Sequence, residues 1–217
     1  MPYEHTGRVR QKERTRNALI ASTRDLLQLQ GSAPTVEEVA AAASISRTTA
    51  YRYFPNQTAL LAAAHPEVDI VSLLPPGIGD DPVVRLTAAV TAFVELVVDT
   101  EPELRTMLRH SLDPTELRID SPLRKGRAIG WFEDALAPLR TELGEAGVHE
   151  LAVTIRSATG IESLVWLTDI GGLSRQAAAD VMLWSAQGLL RHALAHGLPS
   201  GTQARDGAPG AAKTRCR

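Results

Sequence analysis

The sequence predicts an all-α protein, and three observations carry that reading. Apolar residues recur at three- and four-residue steps in every long segment, the spacing that lines one face of a helix. No window alternates apolar and polar residues as a half-buried strand does, and the β-branched pairs Val83-Val84 and Val97-Val98 fall inside helical periods. Pro82, Pro102 and Pro122 stand at or near the starts of such segments, where the missing N–H has no intrahelical partner to lose.

The first helix is expected over 8–30, where Leu19, Ile20, Thr23, Leu26 and Leu27 share a face and Gly31 stops it. Pro34-Thr35 opens a short second helix, with Thr35 as N-cap and Glu38 completing a capping box. Its inward face is Val36, Val39, Ala40 and Ala43. Ser44-Ile45-Ser46 breaks it, and Ser46 can cap a third helix over 47–54. Pro55-Asn56 ends that helix, because the residue before a proline avoids helical dihedrals. A fourth begins near Gln57 and carries Leu60, Leu61 and Ala64 up to the interruption at His65-Pro66, after which 67–74 is expected to resume as helix.

Residues 75–79, PPGIG, form a loop. Beyond it helices are expected over 82–100, 102–112, 122–143 (bent by Pro138), 148–170 and 174–196. Residues 198–217, rich in Gly, Pro and Ala without periodicity, read as a disordered tail. The chain therefore divides at the sequence level into 1–64, 65–197 and 198–217.

A chain of 217 residues that is 44% hydrophobic and 22% charged can bury a real core. The only cysteine is Cys216, so neither an intramolecular disulfide nor a cysteine-based zinc site is expected. The polar, basic N-terminus lacks a signal-peptide apolar run, and no stretch reaches the ~18 apolar residues of a membrane span. The expectation is a cytoplasmic protein with no membrane partner. The net charge of −2 hides an asymmetry: eight Lys and Arg against five Asp and Glu in 1–64, eleven against nineteen in 65–197, and four against one in 198–217. A basic head on an acidic body suits a head that touches nucleic acid.

Two short helices joined by a three-residue turn, behind a longer helix with a basic start, have the layout of a helix-turn-helix. Such a unit needs small residues where the helices cross, here Ala40 and Ala43, and an apolar residue in the turn, here Ile45. Its second helix needs a polar outward face, which Arg47, Thr48, Thr49, Tyr51 and Tyr53 supply while Ala50 and Phe54 face in. The stretch TVEEVAAAASISRTTAYRYFPNQTALL, within residues 8–64, resembles the DNA-binding signature of the TetR family. Beyond it the likeness is one of architecture: an all-α body ending in two long helices.

The resemblance implies a transcription regulator, most simply a repressor, binding a palindromic double-stranded operator as a dimer. It implies base contacts from Thr48, Thr49 and Tyr51, with Arg47 taking a guanine edge or a phosphate. Arg52 is a solvated or phosphate-facing charge, and Tyr53 with the start of the fourth helix, at Gln57, would clamp phosphate. Tyr51 can also be read as half-buried packing, and Arg8, Arg10, Lys12, Arg14 and Arg16 as either a solvated helix start or phosphate contacts. Two positions depart from the family pattern: Ser44 stands where glycine is usual, at some backbone cost, and Gln57 where a phosphate-contacting lysine is usual.

The resemblance also implies a homodimer through helices 148–170 and 174–196, joined at Gly171-Gly172 and rich in small residues such as Ala152, Ala158, Gly160, Ala178, Ser185 and Gly188. It further implies a cavity for a small apolar effector among the central helices, with Phe93, Met107, His110, Trp131, Phe132, Glu162 and Trp166 as candidate lining. For the apolar ones core packing is the alternative, and for Glu162 a buried pair with Arg156.

Catalysis has no comparable signal. His192 and His196 lie four apart as metal ligands do, but no glutamate follows His192 as a zinc protease requires. No phosphate loop, nucleophile elbow or cysteine spacing is present, so no enzyme, metal or cofactor is expected. The competing reading within DNA binding is a regulator without a small-molecule effector.

Overall fold

The structure is a computed structural model, and it describes residues 3–30, 32–65, 70–112 and 126–199, with side chains from Val9 onward. The described residues form ten α-helices and no strand. They are α1 (Tyr3–Gln30), α2 (Val36–Ala42), α3 (Arg47–Tyr53), α4 (Gln57–Ala64), α5 (Pro82–Asp99), α6 (Glu101–Ser111), α7 (Arg127–Ala135), α8 (Arg140–Thr159), α9 (Ile161–Val165) and α10 (Arg175–His196). The expected tail from 200 onward and the start of the helix expected at Pro122 lie outside the described residues.

The N-terminal helices close on one apolar core of Leu19, Val36, Val39, Ala40, Ala50, Phe54 and Leu60. Local chemistry sets their ends. Thr35 accepts from the Glu38 amide (3.2 Å) while the Glu38 carboxylate accepts from the Thr35 amide (2.7 Å), the reciprocal capping box. Ser46 caps α3 through the Thr49 amide, and Asn56 caps α4 through the Ala59 amide. The Arg24 guanidinium on α1 donates to the Ala64 carbonyl (3.1 Å), satisfying one of the orphan acceptors at the end of α4.

The body packs around α5, whose Leu86, Ala89, Val90, Phe93, Val94 and Val97 are buried at helical spacing against α7, α8 and α10. Ala152 on α8 and Ala178 on α10, expected as small residues for close helix approach, are fully buried inside the chain's own core.

Three expected helices are interrupted. Residues 70–74 are not helical: Ile70, Leu73 and Leu74 pack onto the body core, and the Ser72 hydroxyl accepts from the Leu74 amide in a local turn ahead of Pro75-Pro76. The helix expected through 143 ends at Ala135, because Arg85 on α5 donates to the carbonyls of Asp134 (2.7 Å) and Ala135 (3.1 Å) and Pro138 cannot continue the ladder. A single 3₁₀ turn, Ala137–Leu139, follows, and Gly144 sits non-helical (φ +70°) early in α8.

The helix expected over 148–170 breaks at Gly160, which is extended (φ −91°, ψ −174°), and continues as α9 and a π-helical turn, Trp166–Ile170. An ion cluster holds that turn. Buried Glu101 on α6 accepts from Arg105 (2.6 Å) and Arg175, and Arg105 also grips Asp169 with both terminal nitrogens (2.6 and 2.7 Å). Burial pushes the Glu101 carboxyl up, but its bonds to Arg175 and Arg105 outweigh that and hold it below its usual value.

Candidate nucleic-acid interface and inner cavity

The candidate surface starts from the α2–α3 turn. Ser44 takes a left-handed conformation (φ +56°), the Ile45 amide donates back to Ala40 (2.8 Å) and the Ser44 amide to Ala41 (3.1 Å). This pair of bonds is a Schellman motif, with Ile45 folded onto the Ala40 core as its apolar contact. The turn sets α3 across α2 with Ala50 fully buried, which leaves Arg47, Thr48, Tyr51 and Arg52 exposed on one open side.

Those side chains are partly organised. Tyr51 donates its hydroxyl to Glu37 on α2 (2.7 Å), and Arg47 pairs with the same carboxylate oxygen (2.6 Å) while standing over the Tyr51 ring at 5.7 Å. The Tyr51 bond, with help from Arg47, holds the Glu37 carboxyl below its usual value, and the same bond raises the Tyr51 phenol. Thr49 is half-buried, its hydroxyl accepting from Ser46 (2.8 Å). Arg52 lies over the Tyr53 ring at 5.8 Å. Gln57 turns back into the protein and donates to the carbonyls of Ala33 (2.8 Å) and Pro34 (3.1 Å), so its amide braces the entry to α2. On α1, Arg10, Lys12 and Arg14 are exposed, and Arg16 stacks over Phe54 at 5.7 Å.

A cavity of about 400 Å³ opens where α4 ends against the body, within the usual size of small-molecule sites. Of the candidate lining residues, Phe93, Met107 and Glu162 border it. Trp131 and Phe132 do not: both are buried around Phe93, with Phe132 edge-on at 5.4 Å. His110 instead faces Thr58 of α4, with Nε2 3.3 Å from the hydroxyl. Trp166 is 64% exposed on the π turn, away from the cavity. Glu162 pairs with Arg156 (3.1 Å) as an exposed group, not a buried one.

The wall also contains residues that sequence spacing did not single out: His65, which follows α4, Arg127 at the start of α7, and Val97 and Leu104. His65 is buried, and burial, with the nearby charges of Arg127, Arg156 and Arg24, lowers its pKa to about 4. No spacing signal links positions 65, 127 and 156, which only the packing of three helices brings together.

Among the described residues there is no group of three or more His, Cys, Asp or Glu side chains able to hold a metal, and the His192 and His196 rings stack on each other at 4.5 Å. No described helix is long and apolar enough to cross a membrane.

The sequence of residues 19–64 matches the family described as bacterial regulatory proteins, tetR family. No curated protein matches the chain. The matched segment contains the capping box, the Schellman turn, the exposed face of α3 and the capped start of α4. A helix-turn-helix with that face, inside that match, gives residues 19–64 the DNA-binding unit of tetR-type regulatory proteins and supports a DNA-binding transcription regulator.

Proposed function

We propose that the chain is a ligand-responsive repressor that binds a palindromic operator as a homodimer, with residues 1–64 as the DNA-binding domain and 65–197 as the effector-binding and dimerisation domain. Thr48, Thr49 and Tyr51 read bases, Arg47 takes a base edge or a phosphate, and Arg52, Tyr53 and the α4 start at Gln57 hold the backbone. One such helix reads only a few bases, and a two-fold copy doubles the site.

The observation that carries the ligand response is the position of Met107. Its side chain borders the cavity and also packs with Leu27 of α1 and Leu61 of α4 in the small apolar cluster that joins head to body. A small, mostly apolar molecule in the cavity must share that wall, so its binding bears on how the head sits. Linkage requires the effector to prefer the DNA-free form, and a coupling of roughly 1–3 kcal/mol lowers DNA affinity some 5- to 150-fold.

The test is selection of bound duplexes from a random pool, followed by release of the selected operator by a panel of apolar compounds. A palindromic operator, released by compounds that lose their effect in Met107→Ala, is the expected result. Binding without symmetry would overturn the dimer reading, and a panel without any releasing compound would leave an effector-free regulator.

A further inference from the structure

The charge on the cavity wall is one-sided. Two guanidinium groups, Arg127 and Arg156, border it against one carboxylate, Glu162, and His65, near both arginines, is buried in its neutral form. Arg156 is already engaged, bonded to Glu162 and lying over the Phe93 ring at 5.4 Å. Arg127, half-buried, has no hydrogen bond or ion pair among the described residues. It also opens α7, a nine-residue helix whose N-cap, Gly126, offers no side chain to the first amides and itself borders the cavity. The positive end of that helix therefore adds to the two arginines.

The backbone is shaped around the second arginine. A Cβ at Gly160 would stand 1.6 Å from Arg156 Nη1 and 2.7 Å from Glu162 Oε2, so the break between α8 and α9 leaves the space that this guanidinium fills. The lining also includes the apolar Val97, Leu104, Met107 and Ile161.

We propose that the cavity takes an amphiphilic monoanion, its carboxylate-type head between Arg127 and Arg156 and its apolar body against Phe93, Val97, Leu104, Met107 and Ile161. One net positive side chain on the wall matches one negative charge, and a partly desolvated oxyanion forms stronger bonds to a guanidinium than a neutral group does. Arg127 supplies the uncommitted donors, and Arg156, fixed by Glu162 and Phe93, supplies a rigid edge. The inference rests on reading this cavity as the effector site, and it narrows the effector from apolar to apolar with an anionic end.

The test measures binding to the full chain by calorimetry and by thermal shift, using decanoate against decan-1-ol and 1-naphthoate against 1-naphthalenemethanol. Each acid is expected to bind about tenfold or more tightly than its alcohol, the scale of one hydrogen bond to a charged group. Arg127→Gln is expected to shrink that ratio several-fold while leaving the alcohol's affinity in place, and Arg127→Lys to retain part of it. Arg156→Gln, on another helix, should lower the same ratio, so a folding failure of one variant leaves the other to decide. Alcohols binding as tightly as acids, or a ratio unmoved by the folded variants, overturn the anion inference and leave the cavity reading intact. If no compound of either pair binds a chain that is folded and binds DNA, both readings fall.

Discussion

Glu37 stands early in α2, and its carboxylate meets both Arg47 and Tyr51 of α3. All three side chains face solvent, so the pairing is weak and phosphate can compete for Arg47. Glu37→Gln is expected to raise affinity for any duplex by about 2- to 5-fold and to steepen the salt dependence by about one counterion, since Arg47 is then free for phosphate. Fluorescence anisotropy at three salt concentrations reads both, and a loss of affinity would mean that Glu37 organises the face more than it masks it. His65 makes the pH prediction. Its folded pKa near 4 lies below the ordinary 6.5, so between those values the unfolded chain holds a proton that the folded one lacks. Stability is therefore full above 6.5 and falls as pH drops toward 4, by roughly 2 kcal/mol between pH 7.5 and 5. Urea titrations at those two pH values should show this slope in the parent and lose most of it in His65→Gln. The carboxylates held below their usual values, Glu37, Glu38 and Glu101, contribute their stability above the ordinary carboxylate pKa of 4.5 and leave this window clear.

At the scale of the element, the α2–α3 turn and the breaks in the body show two kinds of determinism. The turn is local: its bonds span at most five residues, and the only cost is Ser44 held at φ +56°. A non-glycine residue in that region costs roughly 1–2 kcal/mol, and glycine returns part of the gain as backbone entropy. Ser44→Gly is expected to stabilise the fold by roughly 0.5–1 kcal/mol, read as a higher urea midpoint with unchanged slope. An unchanged or lower midpoint would show that the serine is already accommodated. The body breaks are not local. Pro138 was expected to bend a helix, but the helix stops at Ala135 because Arg85, about fifty residues earlier, takes its terminal carbonyls. The break at Gly160 likewise goes with the placement of Arg156 beside it and the ion cluster beyond it. Glycines in a helical pattern do not announce which of them will break it.

For the whole molecule, the outer side of α10 leaves a large apolar side chain open to solvent. Trp184 is 69% exposed, on the same side as the half-buried Val181 and Gly188, and a Cβ on Gly188 would meet open space. A tryptophan left this open beside small residues is what a second helix can cover. If the homodimer forms there, Trp184→Glu should turn a micromolar dimer into a monomer in sedimentation velocity. It should also weaken operator binding by more than about tenfold, because the two half-sites are no longer joined. A variant that stays dimeric would move the interface elsewhere.

What the sequence determined by itself was the N-terminal unit. The capping box at Thr35, the cap at Ser46, the inward Ala50 and Phe54 and the start of α4 at Gln57 all stand as the spacing implied, because each depends on neighbours within a few residues. The all-α class and most helix starts follow from the same short-range periodicity. The cavity was decided by the tertiary structure. Trp131 and Phe132 look like lining in sequence and are core, Trp166 faces solvent, Gln57 turns inward, and the charged wall comes from Arg127 and Arg156 on separate elements. A helical period says which residues share a face, but which neighbour that face meets depends on helix crossings and on breaks set by side chains far along the chain.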